Sequence, residues 1–258
     1  MTELRNHLER LRSGGRKLLV PYVMAGIPDR DSFPEALEAV AANADAVEVG
    51  LPYSDPLMDG PVIAAAAERA IRAGTGPLEA LGLAAERSSR PPRLVMTYYN
   101  PVYRSGEEEF CARARRAGFC GLVVPDLPLE ESEGLRAAAA CAGLAWVPLV
   151  APTSPPHRVE RICATATGFV YAVSTLGVTG TRDELSDRAA RVVAACRGAT
   201  DLPVLVGIGI SSAAQACAAT QDADGVVIGS AVVRAVLEEG PAAARAWLAG
   251  VRRALDGA

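Results

Sequence analysis

The sequence is almost without lysine and histidine: Lys17 is the only lysine, and His7 and His157 are the only histidines. Two histidines so far apart, the first in a leading charged segment, leave no good zinc site. Six cysteines, Cys111, Cys120, Cys141, Cys163, Cys196 and Cys217, are scattered without a C-x-x-C pair. That spacing speaks against a metal ribbon or a disulfide framework, and the six read as small buried hydrophobes. No apolar run approaches the roughly 20 residues that a bilayer helix needs. The opening MTELRNHLERLRSGG alternates charge where a signal peptide would carry an apolar stretch, so the expected location is the cytoplasm. A net charge of -4 without basic clusters argues against nucleic acid or an anionic membrane as partner.

What is present is a rhythm. Short β-rich apolar runs recur at LLVPYV, AVEVG, RLVMTY, GLVVP, AWVPLV, GFVYAV, PVLVGIG and GVVIG, eight in all. Ala-, Glu- and Arg-rich segments of helical spacing, such as SFPEALEAVAANA and ESEGLRAAAACAG, separate them. Runs that are apolar throughout predict strands covered on both faces, hence parallel strands joined by crossover helices. Eight such units in 258 residues fit an α/β fold, a single (β/α)8 TIM barrel spanning 1–258 as one domain. A doubly wound open sheet is the alternative, because periodicity does not show closure. The leading ELRNHLERLR reads as an extra N-terminal amphipathic helix at the bottom of the barrel.

The stretch VEVGLPYSDPLMDGP, residues 47–61, puts an acid inside a buried strand. If Val47 and Val49 pack outward under helices, Glu48 points into the barrel near its C-terminal mouth, where barrel enzymes do chemistry. A carboxylate there is costly to ionise, which raises its pKa and equips it to exchange protons near neutrality; a structural arginine partner is the bland alternative. Asp55 and Asp59 follow in a proline-restricted loop. Asp55 before a proline reads first as a turn former. Asp59 is either a second catalytic carboxylate or a cap for the next helix.

The far end of the chain offers an anion site. GVTGT (177–181), GIGIS (207–211) and IGSA (228–231) follow three consecutive strands, where backbone N–H groups and helix starts of barrels cradle phosphate. Two acids beside a phosphate cradle raise the question of carbanion stabilisation. Sugar-phosphate aldolases use a Schiff-base lysine or a metal, yet Lys17 precedes the first strand, at the wrong end of a barrel. Carbon–carbon cleavage here therefore needs an electron sink within the substrate. An indole ring protonated at C3 is such a sink.

VEVGLPYSDPLMDGPVI, VMTYYNPVY, LVVPDLPLEES, LVAPTSPP, YAVSTLGVTGTR and VGIGISS followed by VIGSAVV resemble the tryptophan synthase α subunit family over almost the whole chain. The resemblance implies a TIM barrel that cleaves indole-3-glycerol phosphate to indole and glyceraldehyde 3-phosphate without a metal or an organic cofactor of its own. It implies Glu48 as general acid/base, Asp59 as partner of the indole N–H, and Tyr171 as an active-site tyrosine near the acid. Gly180, Gly209, Gly229 and Ser230 match the phosphate-binding positions. Tyr22, where the family often has Phe, would line the indole pocket, with Tyr98, Tyr99 and Leu127 as further walls. The resemblance also implies a pyridoxal phosphate-containing β subunit as partner in an αββα assembly, with Asp55 and the loop around Asn100 and Pro101 on the docking face.

One departure stands out. After DGPVI the family commonly has Gln, and this chain has Ala64. A stand-alone indole-3-glycerol phosphate lyase is therefore a second reading. A non-catalytic, phosphate-binding regulatory subunit is a third, disfavoured because binding alone needs neither Glu48 nor Asp59.

Overall fold

The computed structural model describes residues 1–85, 91–173, 182–207 and 209–257, with the side chains of 182–187 left aside. Its strands are β1 (Leu18–Met24), β2 (Val47–Gly50), β3 (Arg93–Met96), β4 (Gly121–Val123), β5 (Ala145–Trp146), β6 (Leu149–Val150), β7 (Val170–Val173), β8 (Val204–Gly207) and β9 (Gly225–Ile228). They form one parallel sheet in the order β5-β4-β3-β2-β1-β9-β8-β7-β6. First and last strands pair with each other, which a doubly wound open sheet does not do.

The sequence predicts eight strands and the structure shows nine among the described residues. The difference lies in AWVPLV, where Pro148 has no N–H to donate and divides one stretch into β5 and β6. That stretch still bonds to both neighbours. The Val147 N–H donates to the Leu122 carbonyl at 3.1 Å on one side, and on the other the Pro148 carbonyl accepts from Tyr171 N–H at 3.0 Å. The ring is thus closed through residues 145–150, as a (β/α)8 barrel.

Helices follow the strands: α2 (Phe33–Ala41), α3 (Pro61–Arg72) and α4 (Pro77–Leu83), α5 (Tyr99–Ser105) and α6 (Glu107–Arg116), α7 (Glu133–Cys141), α8 (Pro156–Cys163), α9 (Arg182–Arg197), α10 (Ala213–Ala219), then α11 (Ser230–Glu238) and α12 (Pro241–Asp256). α12 packs against α2, α10 and α11, so the last helix meets the first of the outer ring. Strand side chains alternate between two cores. Val23, Val47, Val49 and Val95 pack outward against helices, whereas Leu18, Val20, Leu94, Leu205 and Val227 fill the barrel interior.

The predicted N-terminal helix is α1 (Glu3–Ser13), capped by the Thr2 hydroxyl. Leu4 and Leu8, one turn apart, are fully buried and join the interior cluster. Glycines make way for them: a Cβ at Gly168 would lie 2.9 Å from Leu4 Cδ2, and one at Gly121 would lie 3.2 Å from the same atom. α1 therefore plugs the bottom of the barrel, leaving the C-terminal ends of the strands as the mouth. Nearby, buried Asp45 accepts from Arg16 Nε (2.6 Å), Leu19 N–H (2.8 Å) and Arg252 (3.0 Å). The cysteines bear out the core reading except Cys141, which is exposed where α7 ends, on its solvent side, and Cys217, which is half-buried. No helix among the described residues is long and apolar enough to cross a membrane.

Candidate active site

β2 sets the site. With Val47 and Val49 directed at the helices, Glu48 faces the barrel interior and is 2% exposed. Its register partners are Tyr22 in β1 and Leu94 in β3. Neither ion-pairs with it, and its Oε1 has no hydrogen-bond partner among the described residues. Burial, reinforced by the negative charge of Asp59, pushes the Glu48 carboxyl up to about 8. A structural arginine partner would have pulled it the other way.

Asp59 comes from the loop that follows β2. It is half-buried, and burial lifts its carboxyl to about 6 even though a hydrogen bond from the Tyr98 phenol draws it partly back. The capping alternative does not hold for this residue: α3 starts from Gly60 with no side-chain cap, and Pro61 at its first position has no N–H to satisfy. Tyr98, at the C-terminal end of β3, also accepts the Met58 N–H at 2.9 Å and stacks on Tyr53 with ring centroids 5.2 Å apart. One phenol thus ties two consecutive residues of the acid-bearing loop to the neighbouring strand. The sequence motif places Tyr98 near the site, but nothing local marks it as the loop's tether, since its partners lie 40 residues earlier.

Tyr171, on β7, is half-buried and stacks on Phe169 at 6.4 Å. Burial and then Glu48 raise its phenol well above the ordinary value, so it stays neutral. Tyr22 is raised likewise by burial, then by Asp59 and Glu48. The mouth therefore holds two carboxyls that resist ionisation and three neutral phenols. Close acids with raised pKa values are the arrangement for proton transfer near pH 7.

After β8, two strands beyond β1 in the sheet, Gly209 is exposed with φ +63°, a backbone state that a side chain would strain. Gly229 precedes α11, and Ser230 opens that helix with its side chain exposed. The first N–H groups of a helix lack partners within it, and a helix start of this kind is suited to an anion. Gly180 and the rest of the GVTGT turn lie outside the described residues. Leu127 is half-buried against the outer core. Tyr99 begins α5, donates its N–H to Asp126 at 2.9 Å and its hydroxyl to Glu107 at 2.9 Å, which directs it away from the two acids. Asn100 and Asp55 are exposed at this end. Pro101 is buried in the first turn of α5, so the expected loop is helical there and its proline packs inward. Ala64 is half-buried on α3, and its N–H caps back to the Gly60 carbonyl at 3.0 Å.

Among the described residues no group of three or more His, Cys, Asp or Glu side chains is placed to hold a metal ion. A cavity of about 640 Å³ opens beside His7, Leu11, Arg16 and Asp45, at the end of the barrel away from the paired acids.

A family model described as tryptophan synthase alpha chain matches residues 8–251. The chain belongs to the tryptophan synthase alpha chain family. A tryptophan synthase alpha chain from Microcystis aeruginosa is 43% identical over 245 residues, 93% of each chain. One from Thermobifida fusca is 44% identical over 243 residues, covering 92% of this chain and 90% of the relative. Among solved structures, a tryptophan synthase from Mycobacterium tuberculosis superposes with a TM-score of 0.91 at 39% identity over 98% of both chains. A subunit alpha from Legionella pneumophila gives 0.91 at 29% identity over the full length of both. The tryptophan synthase alpha chain family is thus matched in sequence and in fold across the segments that build the mouth.

Proposed function

We propose that Glu48 and Asp59 are the catalytic carboxyls of this family member, with Tyr171 beside the acid and Gly180, Gly209, Gly229 and Ser230 around the phosphate. The reaction is the cleavage of indole-3-glycerol phosphate to indole and glyceraldehyde 3-phosphate in tryptophan biosynthesis, which makes the chain a carbon–carbon lyase. A single barrel domain over 1–258, in the cytoplasm, carries it out.

The chemistry follows from the two acids. Protonated Glu48 delivers its proton to C3 of the indole ring, which becomes iminium-like at the ring nitrogen. Asp59, as carboxylate, accepts a hydrogen bond from the indole N–H and stabilises the positive charge that develops there. Glu48, now ionised, helps remove the proton of the hydroxyl on the carbon joined to C3. The bond between that carbon and C3 breaks, its electrons return to the ring as indole, and the side chain leaves as the aldehyde. Tyr22, Tyr98 and Leu127 form apolar walls for the ring. The chain needs no metal or organic cofactor, because the ring stores the electrons.

The observation that supports this reading most is the Glu48 carboxyl, buried at the mouth without an Oε1 partner and pushed up to about 8. Its test is indole release from indole-3-glycerol phosphate by the wild type and by Glu48→Gln. A fall of about 100-fold or more with substrate still bound is expected, and unchanged turnover would remove Glu48 from the mechanism.

The partner is a pyridoxal phosphate-dependent β subunit in an αββα assembly. Asp55 and Asn100 are exposed at the mouth, alongside Leu57 at 81% and Tyr103 at 70% exposure, an apolar surface suited to docking. Strong stimulation of indole release by an added β subunit supports this assignment. High turnover of the isolated chain with no response supports the stand-alone lyase, the reading that Ala64 beneath the loop favours.

A further inference from the structure

Along β2 the inward-facing positions alternate, so the position above Glu48, toward the mouth, is Gly50. A side chain has no room there. A Cβ on Gly50 would overlap the Tyr22 hydroxyl and Cζ and lie 2.6 Å from its Cε2. The Tyr22 ring therefore fills the volume that a residue at position 50 would have taken, one step above Glu48 on the same wall. Tyr22 is also the register partner of Glu48 across β1 and β2, so its backbone stands beside the acid while its ring reaches over it. Behind the ring stand Gly229 and Ile63: a Cβ on Gly229 would lie 3.8 Å from Tyr22 Cβ and 3.9 Å from Ile63 Cδ1. Among the described residues the one hydrogen bond of the hydroxyl is a long contact with Met24 Sδ at 3.8 Å, so among them shape and not polar bonding seats the ring.

We propose that Tyr22 is a positioning residue for the cleavage: its ring, bedded on the bare Cα of Gly50, roofs Glu48 and keeps water at the mouth off the catalytic carboxyl. The inference rests on the lyase reading given above. Among the described residues, the groups that face Glu48 are Asp59 from the loop after β2, Tyr22 from β1 and Tyr171 from β7, with apolar Leu94 on β3. None of these is cationic. Dehydration is then the main influence that keeps the proton on Glu48, and Tyr22 is the side chain placed to enforce it. The ring does this work, so the hydroxyl is dispensable for it. Gly50 is required at its position because any side chain would push the ring off the acid.

The test separates this role from the lyase reading. The Glu48 carboxyl is titrated by NMR in full-length protein with 13C-labelled glutamate, its signal assigned by its loss in Glu48→Gln, and indole release is followed over the same pH range. Tyr22→Phe, which keeps the ring, leaves the Glu48 midpoint in place. Tyr22→Ala and Tyr22→Leu, which uncover Gly50, move the midpoint down by about one pH unit or more. In the two uncovered variants the alkaline fall of kcat/KM moves down with it. Adding Gly50→Val to Tyr22→Ala refills the volume from the other strand and returns the midpoint toward the wild-type value. Tyr22→Leu preserves a measurable case if Tyr22→Ala does not fold. Equal midpoints in wild type, Tyr22→Phe and Tyr22→Leu overturn the positioning role, whatever the activities. Absence of indole release by the wild type with and without a β subunit overturns the lyase reading instead, and the titration still decides whether Tyr22 shields Glu48.

Discussion

The hydroxyl of Tyr98 accepts the backbone N–H of Met58 at 2.9 Å and donates to the carboxylate of Asp59, so one phenol at the end of β3 holds the acid-bearing loop that leaves β2. Tyr98→Phe removes both bonds while keeping the stack on Tyr53. The expected loss is about 1 kcal/mol of stability, read as a lower urea midpoint. Indole release is expected to fall roughly 10-fold as Asp59 loses its fixed position. A variant with wild-type kcat and KM would show that the tether does not matter to the loop.

The buried Glu48 makes stability depend on pH. Its folded value of about 8 lies above its ordinary 4.5, so the folded state holds a proton that the unfolded chain releases between those two values. Stability from this group is therefore greatest below about pH 4.5 and declines as pH rises to about 8. Glu48→Gln abolishes that slope. Urea unfolding at pH 5.5 and pH 8.5 should show the variant gaining on the wild type at the higher pH, by on the order of a few kcal/mol. Parallel curves for the two proteins would mean that Glu48 is ionised in the folded state.

At the bottom of the barrel, Asp45 and Arg252 are both almost fully buried and meet at 3.0 Å, where Arg252 also donates to the Lys17 carbonyl at 2.9 Å. Asp45→Ala leaves the buried guanidinium only the exposed Asp256 carboxylate at 2.7 Å and leaves the Leu19 N–H without its acceptor, and is expected to cost about 3 kcal/mol. Arg16 bonds the same carboxylate at 2.6 Å but is itself 34% exposed. Arg16→Ala should cost no more than about 1 kcal/mol. Chemical denaturation at pH 7 distinguishes them, and similar losses in the two variants would contradict the difference drawn from burial.

Gly225 pairs with Leu18 where β9 closes against β1. A Cβ there would overlap the Leu18 carbonyl oxygen and lie 2.5 Å from Leu18 Cβ. Backbone atoms in a central strand pair have little freedom to withdraw, so Gly225→Ala is expected to cost about 1–3 kcal/mol. Thermal unfolding checks this, and an unaltered midpoint would mean that the seam opens more easily than its hydrogen bonds indicate.

Much of the architecture was legible before any coordinates. Apolar runs such as AVEVG and GVVIG, too short for helices and too continuous for half-exposed strands, announced parallel strands under helices, and ELRNHLERLR announced α1 through Leu4 and Leu8 one turn apart. Pro148 was equally visible, but its effect was not. A proline interrupts one strand's hydrogen bonding, and whether the sheet still closes depends on neighbours reached only after the chain has gone round the barrel.

For the site, the sequence by itself determined the chemistry on offer: an acid within a strand, a second acid in a proline-bound loop, glycine turns after late strands, and too little lysine and histidine for Schiff-base or zinc catalysis. These are properties of residue type and spacing along one chain. Only the tertiary structure decided that Glu48 is buried with no arginine partner among the described residues, that Asp59 bonds Tyr98 and does not cap α3, and that the Tyr22 ring rests on Gly50. Each of those facts depends on which side chains from distant strands share one small volume. Burial and contact are properties of that volume, and no stretch of sequence contains it.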